Sequence, residues 1–187
     1  MPSVAIVPAA GRGERFGGMK LAAMLRGEPL LSHTLRCLLD GGVEQIVLVT
    51  TSGAELTHVP LASDPRVRRV VNPAPSRGMF SSIQTGVTEA DGDPILILPG
   101  DMPFVGPNTV SAVLSEARRT GAIVSPSHEG RRGYPLELPA RLRQPILDAP
   151  TGSTLASVLD ACESERRTIE VDDPGVLRDV DVVTDLR

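Results

Sequence analysis

Aromatic side chains are nearly absent from this sequence: it has no tryptophan, one tyrosine and three phenylalanines, together 2% of its residues. A core therefore has to be built from aliphatic side chains, and hydrophobic residues make up 41% of the chain. With 187 residues, the chain has the length of one ordinary domain and can bury a sizeable core. We expect residues 1–187 to form a single domain.

An excess of positive charge is also lacking, because the formal net charge is −4. A nucleic-acid-binding protein needs a basic face, so this composition argues against a nucleic-acid partner. It does not argue against a nucleoside triphosphate as ligand, because a local cluster of basic residues is enough to hold a triphosphate.

Long hydrophobic runs and cysteine motifs are missing too. The first apolar run, residues 4–10, is too short for a signal peptide, and no run approaches the roughly 20 apolar residues of a membrane span. Cys37 and Cys162 form no CxxC pair, and Cys37 lies in an apolar helical pattern, which predicts a buried free thiol. This cysteine usage fits a reducing compartment. We expect a cytoplasmic protein without a membrane partner.

The apolar residues that are present follow two alternating patterns. Short β-branched runs of the kind buried in parallel sheets predict strands. These runs cover residues 3–7, 45–51, 67–72, 94–98, 122–126, 168–171 and 177–182. Amphipathic segments between them predict helices. These segments cover residues 29–40, 79–89, 108–120, 142–147 and 154–163.

Strands that alternate with helices at this spacing indicate an α/β fold with a mostly parallel sheet. The segment 128–138 differs, because Gly130, Gly133 and Pro135 interrupt short apolar pieces, and we interpret it as an excursion or hairpin. Ligands of such sheets bind beyond the carboxyl ends of the strands. Chemistry is therefore expected directly after each strand.

The first predicted strand runs into a loop rich in small and basic residues, from Pro8 to Lys20. The backbone of such a loop can approach a ligand closely and cradle phosphate oxygens with its N–H groups. The loop matches neither familiar phosphate motif, since Phe16 replaces the third glycine of GxGxxG and Met19 stands where a Walker A lysine is required. Lys20 is the only lysine among 19 lysine and arginine residues, and a compact charge on a flexible stem suits a phosphate that moves during a reaction. The alternative is a surface loop with unrelated charges.

Acidic residues follow two of the predicted strands. Asp101 comes just after the run 94–98, where a carboxylate can hold Mg²⁺ against phosphate oxygens or can simply cap a turn. Asp179 and Asp181 are two residues apart, so in a strand both would point to one face, where a cation or water has to satisfy them. Either of the two can complete a metal site with Asp101, and the alternative is a solvated edge strand.

Taken together, these motifs resemble those of the MobA-like NTP transferases, and most closely those of the molybdenum cofactor cytidylyltransferases. Five segments match in order along nearly the whole chain. They are residues 8–17 with Lys20 (LAAGxSxRFG…K), 72–73 with 78–83 (NPxxxxGMxxS), 99–103 (GDMP), 130–135 (GxRGHP) and 179–181 with 185–186 (DIDTPEDL). Within the fourth segment, Tyr134 stands where histidine is usual.

The resemblance implies a Rossmann-like, three-layer α/β/α domain with a mostly parallel sheet, the nucleotide-diphospho-sugar transferase fold. It implies transfer of a nucleoside monophosphate, CMP from CTP, to a phosphorylated small acceptor such as the molybdopterin cofactor, with release of pyrophosphate. Related activities remain open. They are a guanylyltransferase, a sugar- or polyol-phosphate nucleotidyltransferase, and a non-catalytic module that binds a cofactor and delivers it to a partner such as a molybdoenzyme.

The resemblance also implies roles for single residues. The nucleotide-binding residues are Ala9, Ala10 and Gly11 at the base, Arg12, Gly13, Lys20 and Asp101 at the triphosphate, and Asn72 near the base or ribose. The acceptor-binding residues are Ser82, Gly133, Tyr134 and Pro135. Asp101 and Asp179 would hold the cofactor, Mg²⁺, and catalysis would depend on Arg12, Lys20 and Asp101.

Overall fold

The computed structural model describes residues 3–11 and 20–186. Within these ranges the strands are β1 (Val4–Pro8), β2 (Met24–Leu25), β3 (Glu28–Pro29), β4 (Gln45–Thr50), β5 (Val67–Val71), β6 (Ile95–Ile97), β7 (Ile123–His128), β8 (Arg131–Arg132), β9 (Leu136–Leu138) and β10 (Arg166–Glu170). The α-helices are α1 (Leu30–Asp40), α2 (Met79–Glu89), α3 (Pro107–Thr120), α4 (Arg143–Asp148) and α5 (Leu155–Leu159).

The main sheet has eight strands, in the order β10-β7-β9-β6-β1-β4-β5, with β8 paired to β7. The central strand β1 runs parallel to β4 and β6, and β5 and β10 extend the sheet in parallel at its two edges. β9 is antiparallel to both of its neighbours, β6 and β7. The expected mostly parallel sheet is therefore confirmed, with one reversed strand between its two parallel blocks.

Helices cover both faces of this sheet, which confirms the three-layer α/β/α arrangement. Alternate residues of β1 point to opposite faces, as the period of a strand requires. Ala5 and Val7 join the core formed with α1 and α3. Val4 and Ile6 join the core formed with α2, α4 and α5. The largest fully buried side chains are all isoleucine or leucine, as the scarcity of aromatic residues predicts.

Most predicted elements lie within a few residues of the observed ones, and α2 has the predicted bounds. The predicted hairpin over residues 128–138 is confirmed, since β7 turns through Glu129 and Gly130, both at positive φ, into β8. The helix predicted over residues 154–163 is shorter, because α5 ends at Leu159 and a 3₁₀ segment, Asp160–Glu165, follows.

The strand predicted over residues 177–182 is wrong. A 3₁₀ turn, Pro174–Leu177, begins the segment, and no strand follows it among residues 178–186. Within the segment, Val180 is fully buried whereas Val182 is 39% exposed, so the two valines do not line one buried face as they would in a strand. The N–H of Val180 donates to the carbonyl of Asp101 at 2.9 Å, so the segment is fixed to the β6 loop instead of to a strand edge.

Cys37 is buried and free, as predicted, and burial raises the pKa of its thiol to about 12. Across the part of the chain that the structure describes, no helix is both long enough and apolar enough to cross a membrane.

Gly86 allows α2 to pack closely against the central strand. A β-carbon at this position would overlap Cγ2 of Ile6, a fully buried side chain of β1. Helix propensity alone favours alanine over glycine by about 1 kcal/mol, whereas overpacking a core usually costs about 1–3 kcal/mol. The upper part of this range applies here, because the overlap is with a fully buried side chain of the central strand. After the gain in helix propensity is subtracted, we expect Gly86→Ala to lower the free energy of unfolding by about 1–2 kcal/mol, measured by urea denaturation.

Thr88→Ala is the matched control, because Thr88 is exposed on the same helix. Its effect should stay within about 0.5 kcal/mol. If Gly86→Ala proved as stable as the parent protein, the close contact between α2 and β1 would be contradicted.

A buried carboxyl group, that of Glu137 in β9, gives the fold a pH dependence. Its residue is 1% exposed, and its Oε2 atom has no hydrogen-bond partner among the residues described. Burial raises the pKa of Glu137 to about 8, against the weaker attraction of Arg141 and Arg118. The folded state thus holds this proton more tightly than the unfolded chain. The contribution of the protonated Glu137 carboxyl group to the free energy of unfolding is complete below the ordinary glutamate pKa. It is lost as the pH rises toward about 8.

We expect Glu137→Gln to remove this loss, so its stability relative to the parent protein should increase steadily from pH 5 to pH 8. Urea denaturation at intervals across that range measures the difference. Glu55→Gln, which changes an exposed carboxyl group, provides the control. Parallel profiles for Glu137→Gln and the parent protein would contradict the assignment.

Candidate active site

Lys20 and Asp101 meet at the carboxyl edge of the sheet. Lys20 opens a 3₁₀ turn, Lys20–Ala22, after the loop that follows β1, and Asp101 follows β6. The Nζ atom of Lys20 donates to Oδ2 of Asp101 at 2.7 Å, and the two side chains are 12% and 30% exposed. The structure therefore brings together the two residues that the sequence reasoning placed at one site.

Hydrogen bonds between neighbouring loops fix the backbone under this contact. The N–H of Gly100 donates to the carbonyl of Pro8 at 3.0 Å, and the N–H of Ala9 donates to the carbonyl of Val49 at 2.8 Å. The hydroxyl of Thr34 donates to the carbonyl of Gly100 at 3.1 Å. Because these bonds join the ends of adjacent strands, the position of Asp101 relative to the first loop is fixed by the sheet itself.

A second carboxylate reaches Lys20 from the C-terminal segment, and it belongs to Asp181. Nζ of Lys20 donates to Oδ1 of Asp181 at 3.1 Å. Asp185 in turn accepts the N–H groups of Asp181 and Val182 at 2.8 and 2.9 Å, which holds the segment in place. Since no strand forms here, Asp179 and Asp181 do not share a sheet face, and Asp179 instead lines a pocket that Asp101 also lines.

Charge and burial act in opposite directions on Lys20. Burial disfavours the ammonium ion and is the largest single influence, and it lowers the pKa of Lys20. The hydrogen bond and charge of Asp101, followed by those of Asp181, outweigh burial together, so the pKa of Lys20 is raised overall. Lys20 is thus held as a cation at neutral pH, as binding to phosphate requires.

A small pocket of about 340 Å³ lies beside the first loop. Ala10 and Gly11 line it on one side, and Ser76, Gly78 and Ser82 line it on the other. Ala9 is buried at the strand end. The pocket thus contains two of the three backbone positions expected at the nucleotide base, and it also contains Ser82, which the resemblance had assigned to the acceptor.

Asn72 supports the wall of this pocket from behind. Its side chain is 2% exposed and donates through Nδ2 to the hydroxyls of Ser81 and Ser82 at 2.8 and 3.0 Å. Its Oδ1 atom accepts the N–H of Ala74 at 2.8 Å. Asn72 therefore shapes the loop between β5 and α2, and its predicted contact with the base or ribose stays a prediction.

A larger pocket of about 500 Å³ adjoins the small one, because Met79 lines both. Asp101 and Asp179 form one part of its wall, together with Gly133 and Tyr134. Gly133 and Tyr134 belong to the predicted acceptor-binding residues. Pro135, the next of these residues, is buried. Arg12 and Gly13 lie outside the described residues.

The larger pocket contains a tyrosine hydroxyl with a raised pKa and three arginine side chains. Burial raises the pKa of the Tyr134 hydroxyl, and the charge of Asp101 raises it further, while Arg166 opposes both. Arg131, Arg132 and Arg166 also line this pocket, and the sequence reasoning assigned none of them to the acceptor. No motif unites them, since Arg166 lies on a different strand far along the chain.

The donor set fits a divalent cation shared with a substrate. No group of three or more His, Cys, Asp or Glu side chains within residues 3–11 and 20–186 forms a site that could hold a metal by itself. Mg²⁺, however, usually takes only one or two protein carboxylates and completes its shell with water and substrate phosphates. Asp101 and Asp179 line one pocket and can supply those two carboxylates.

The raised pKa of Lys20 can be tested directly because it is the only lysine of the chain. Labelling with ¹³C-lysine gives one set of side-chain signals, whose shift against pH reports its titration. We expect Asp101→Asn to lower the pKa of Lys20, because burial is then less strongly opposed. Asp91→Asn, which changes a carboxylate 83% exposed, should leave it unchanged. Equal titration curves in both variants would contradict the ion pair.

The chain matches a known protein family and several known proteins in sequence. Residues 5–168 match the sequence model of the MobA-like NTP transferase domain. The bifunctional protein GlmU of Roseobacter denitrificans is 28% identical over 171 residues, which cover 89% of this chain and 36% of that protein. A probable molybdenum cofactor guanylyltransferase of Thermococcus sibiricus is 27% identical over 147 residues, which cover 78% of this chain and 71% of the relative. The chain thus spans about a third of the length of the GlmU relative.

Solved structures share the fold. A nucleotidyl transferase from Methanothermobacter aligns with a TM-score of 0.80 at 25% identity, over 98% of this chain and 94% of that one. Rv0371c from Mycobacterium tuberculosis gives 0.82 at 21% identity, over 99% and 96%, and its manganese complex gives 0.70 at 19%, over 91% and 89%. A CMP:2-keto-3-deoxy-manno-octonic acid synthetase complexed with CTP gives 0.76 at 14%, over 98% and 95%. With the family match covering most of its length, the chain belongs to the MobA-like NTP transferase domain family of nucleotidyltransferases, and it has their fold.

Proposed function

We propose that this protein transfers CMP from CTP to a phosphorylated small acceptor, such as the molybdopterin cofactor, and releases pyrophosphate. The observation that carries the proposal is the contact between Lys20 and Asp101, where a cation and a carboxylate meet beside two adjoining pockets. Family membership supports the reaction class. The similarity to a probable molybdenum cofactor guanylyltransferase of Thermococcus supports a molybdenum cofactor as acceptor, and the CTP complex of a protein with the same fold supports the nucleotide.

In this proposal the smaller pocket takes the base, next to the backbone of Ala10 and Gly11. The triphosphate then extends along the first loop toward Lys20, with Arg12 and Gly13 as further predicted contacts. Asn72 keeps the opposite wall in place through Ser82, so the base meets a surface that is already formed. The acceptor occupies the larger pocket, next to Tyr134 and Gly133.

The reaction forms a bond between an acceptor oxygen and the α-phosphorus of CTP. The bond between that phosphorus and the oxygen bridging to the β-phosphate breaks, and pyrophosphate leaves with the electron pair. An acceptor phosphate is already anionic, so no general base is required. The protein contributes by positioning both substrates in line and by placing the Lys20 ammonium ion where negative charge builds up on the leaving group.

Asp101 and Asp179 are the residues that would hold Mg²⁺ in this proposal. When bound, the ion neutralises phosphate charge and orients the phosphates for in-line displacement. Rv0371c, which shares the fold, is known in complex with manganese, and this supports a divalent cation. Asp181 contributes differently, because it keeps Lys20 oriented from the side of the C-terminal segment.

Guanylyl transfer is a second candidate, favoured by the name of the Thermococcus relative. The two candidates differ only in the base, which the small pocket would read through backbone groups and serine hydroxyls. Mixing the protein with Mg²⁺ and each of CTP, GTP, UTP and ATP separates them, because the substrate nucleotide should raise the melting temperature most. A single domain over residues 1–187, a cytoplasmic location and delivery of the product to a molybdoenzyme are further parts of the proposal.

Substitutions at the central pair test the catalytic assignment. We expect Asp101→Ala to lower pyrophosphate release, measured with CTP, Mg²⁺ and molybdopterin, by about 10²-fold or more, since the carboxylate that would hold Mg²⁺ and that orients Lys20 is lost. Lys20→Ala should cause a similar loss, and Lys20→Arg should restore only part of the rate, because a planar guanidinium cannot replace a compact ammonium ion. Asp91→Ala is the exposed control. Turnover at the parent rate in Asp101→Ala would disprove the site.

A further inference from the structure

Arg132 and Arg166 form a charged wall in the larger pocket, joined by one carboxylate. Arg132 lies in β8 and Arg166 opens β10, and both line the pocket that Asp101 lines. Nη1 of Arg132 contacts Oε1 of Glu163 at 2.7 Å, and Nη1 of Arg166 contacts Oε2 of the same residue at 3.1 Å. Two guanidinium groups thus share one counter-ion, which leaves a net positive charge on this wall.

The guanidinium of Arg166 has unused donor capacity. Its side chain is 19% exposed, and its Nε atom is buried without a hydrogen-bond partner in the part of the chain that the structure describes. Arginine presents five N–H donors in a rigid fork that matches phosphate and carboxylate oxygens. A mostly buried cation that shares its carboxylate partner with Arg132 favours an anionic ligand, because a second anion restores the charge balance.

The strand that carries Arg132 is held firmly. Glu170 of β10 accepts the hydroxyl hydrogen of Ser127 at 2.5 Å and the N–H groups of Glu129 and Gly130, at the turn between β7 and β8. His128 contacts the carbonyl of Val171 through Nδ1 at 3.0 Å. The hairpin is therefore fixed to the edge strand at several points, and Arg132 is presented by an ordered backbone.

The backbone of Arg166 lies far from the reacting centre, and Arg132 reaches the same wall through its contact with Glu163. Arg166 lies opposite Ile123, and the next register level joins Val124, Glu137 and Leu96. Asp101 follows the far end of β6, beyond Leu96. Three strand spacings of about 4.8 Å each also separate β10 from β6, or roughly 14 Å across the sheet. The pocket therefore has an acidic end near Lys20 and a basic end near Arg166.

The wall between the two ends is largely apolar. Leu136, Leu155 and Leu159 line it, with Tyr134 close enough to both ends for Asp101 and Arg166 each to influence the pKa of its hydroxyl. A sugar or polyol would need polar partners along this stretch, whereas an apolar or planar body would bury well against leucine. The pocket thus matches an elongated ligand with an apolar middle.

We propose that Arg132 and Arg166, which share Glu163 as their counter-ion, form an anion-binding subsite for the end of the acceptor remote from its attacking oxygen. The acceptor class is a molecule with a nucleophilic phosphate or hydroxyl at one end, an apolar or planar middle, and a second anionic group, phosphate or carboxylate, at the other. The identification of this ligand as the acceptor depends on the proposed nucleotidyl transfer. Binding of an anion to the arginine pair does not.

The subsite can be tested without the acceptor by measuring the binding of phenyl phosphate and of benzoate by isothermal titration calorimetry. We expect both probes to bind the parent protein and benzyl alcohol not to bind. Arg166→Gln and Arg132→Gln should each raise the Kd for the probes about tenfold or more, since a charged hydrogen bond is lost. Arg167→Gln is the matched control, because Arg167 is the next residue of β10, faces the other side of the sheet near Glu116 and is 58% exposed.

Glu163→Gln distinguishes a binding role from a structural one. The substitution removes the carboxylate that competes with a ligand for both guanidinium groups, so it should lower the Kd for the probes several-fold. If Glu163 only held the two arginines in place, probe binding would instead become weaker or be lost. Thermal unfolding of each variant checks that it folds. Unchanged probe affinity in folded Arg166→Gln, or binding lost instead in Lys20→Ala, would overturn the proposal.

Turnover separates the subsite from the proposed function. If nucleotidyl transfer is correct, Arg166→Gln should raise the KM for the acceptor about tenfold and leave the KM for CTP unchanged. A raised KM for CTP alone would assign Arg166 to the nucleotide and contradict the subsite. If no acceptor supports turnover, probe binding that survives Asp101→Ala and fails in Arg166→Gln still establishes the subsite, and only its assignment to an acceptor is lost.

Discussion

The ion pair between Lys20 and Asp101 is the contact on which the rest of the site depends. The two residues are 81 positions apart, and they meet because β1 and β6 are neighbouring parallel strands whose carboxyl ends share an edge. Burial acts to lower the pKa of Lys20, and its two carboxylates more than offset this effect, so the pKa is raised overall. In return, the pair holds Lys20 against the loop after β6, where Asp101 lines the larger pocket.

The reversed strand β9 divides the sheet into two parallel blocks with different tasks. The block formed by β6, β1, β4 and β5 supports the first loop and the small pocket. The block formed by β10 and β7, with β8, supports the basic wall of the larger pocket. Because β9 runs backward, the loop before it, with Gly133 and Tyr134, reaches the same edge as the loops that follow the parallel strands. One antiparallel strand thereby brings Gly133 and Tyr134, which line the larger pocket, to the edge where the small pocket lies.

The sequence allowed most of the fold to be predicted, because the elements carry strong local signals. α2 begins after Gly78 and ends where predicted, and the strands form uninterrupted apolar runs. The segment 177–182 misled because alternating Asp and Val imitate a strand. The N–H of Val180 is instead bound by the loop after β6, and the N–H groups of Asp181 and Val182 are bound by the carboxylate of Asp185. Lys20 and Asp101 were predictable from their places after strands. Arg132, Glu163 and Arg166 were not, since their contact depends on how β8 and β10 flank β7, and strand order cannot be deduced from local pattern.

The ladder between β6 and β9 is short, with only three residue pairs, and it is the seam that joins the two blocks of the sheet. Its middle pair contains Glu137, whose carboxyl group stays protonated up to a pH of about 8. Above that value a negative charge develops inside the seam, where no described residue offers it a hydrogen bond at Oε2. Alkaline conditions therefore act on the joint between the two parallel blocks of the sheet, and the ladder between β6 and β9 is the first part of the sheet that they would loosen.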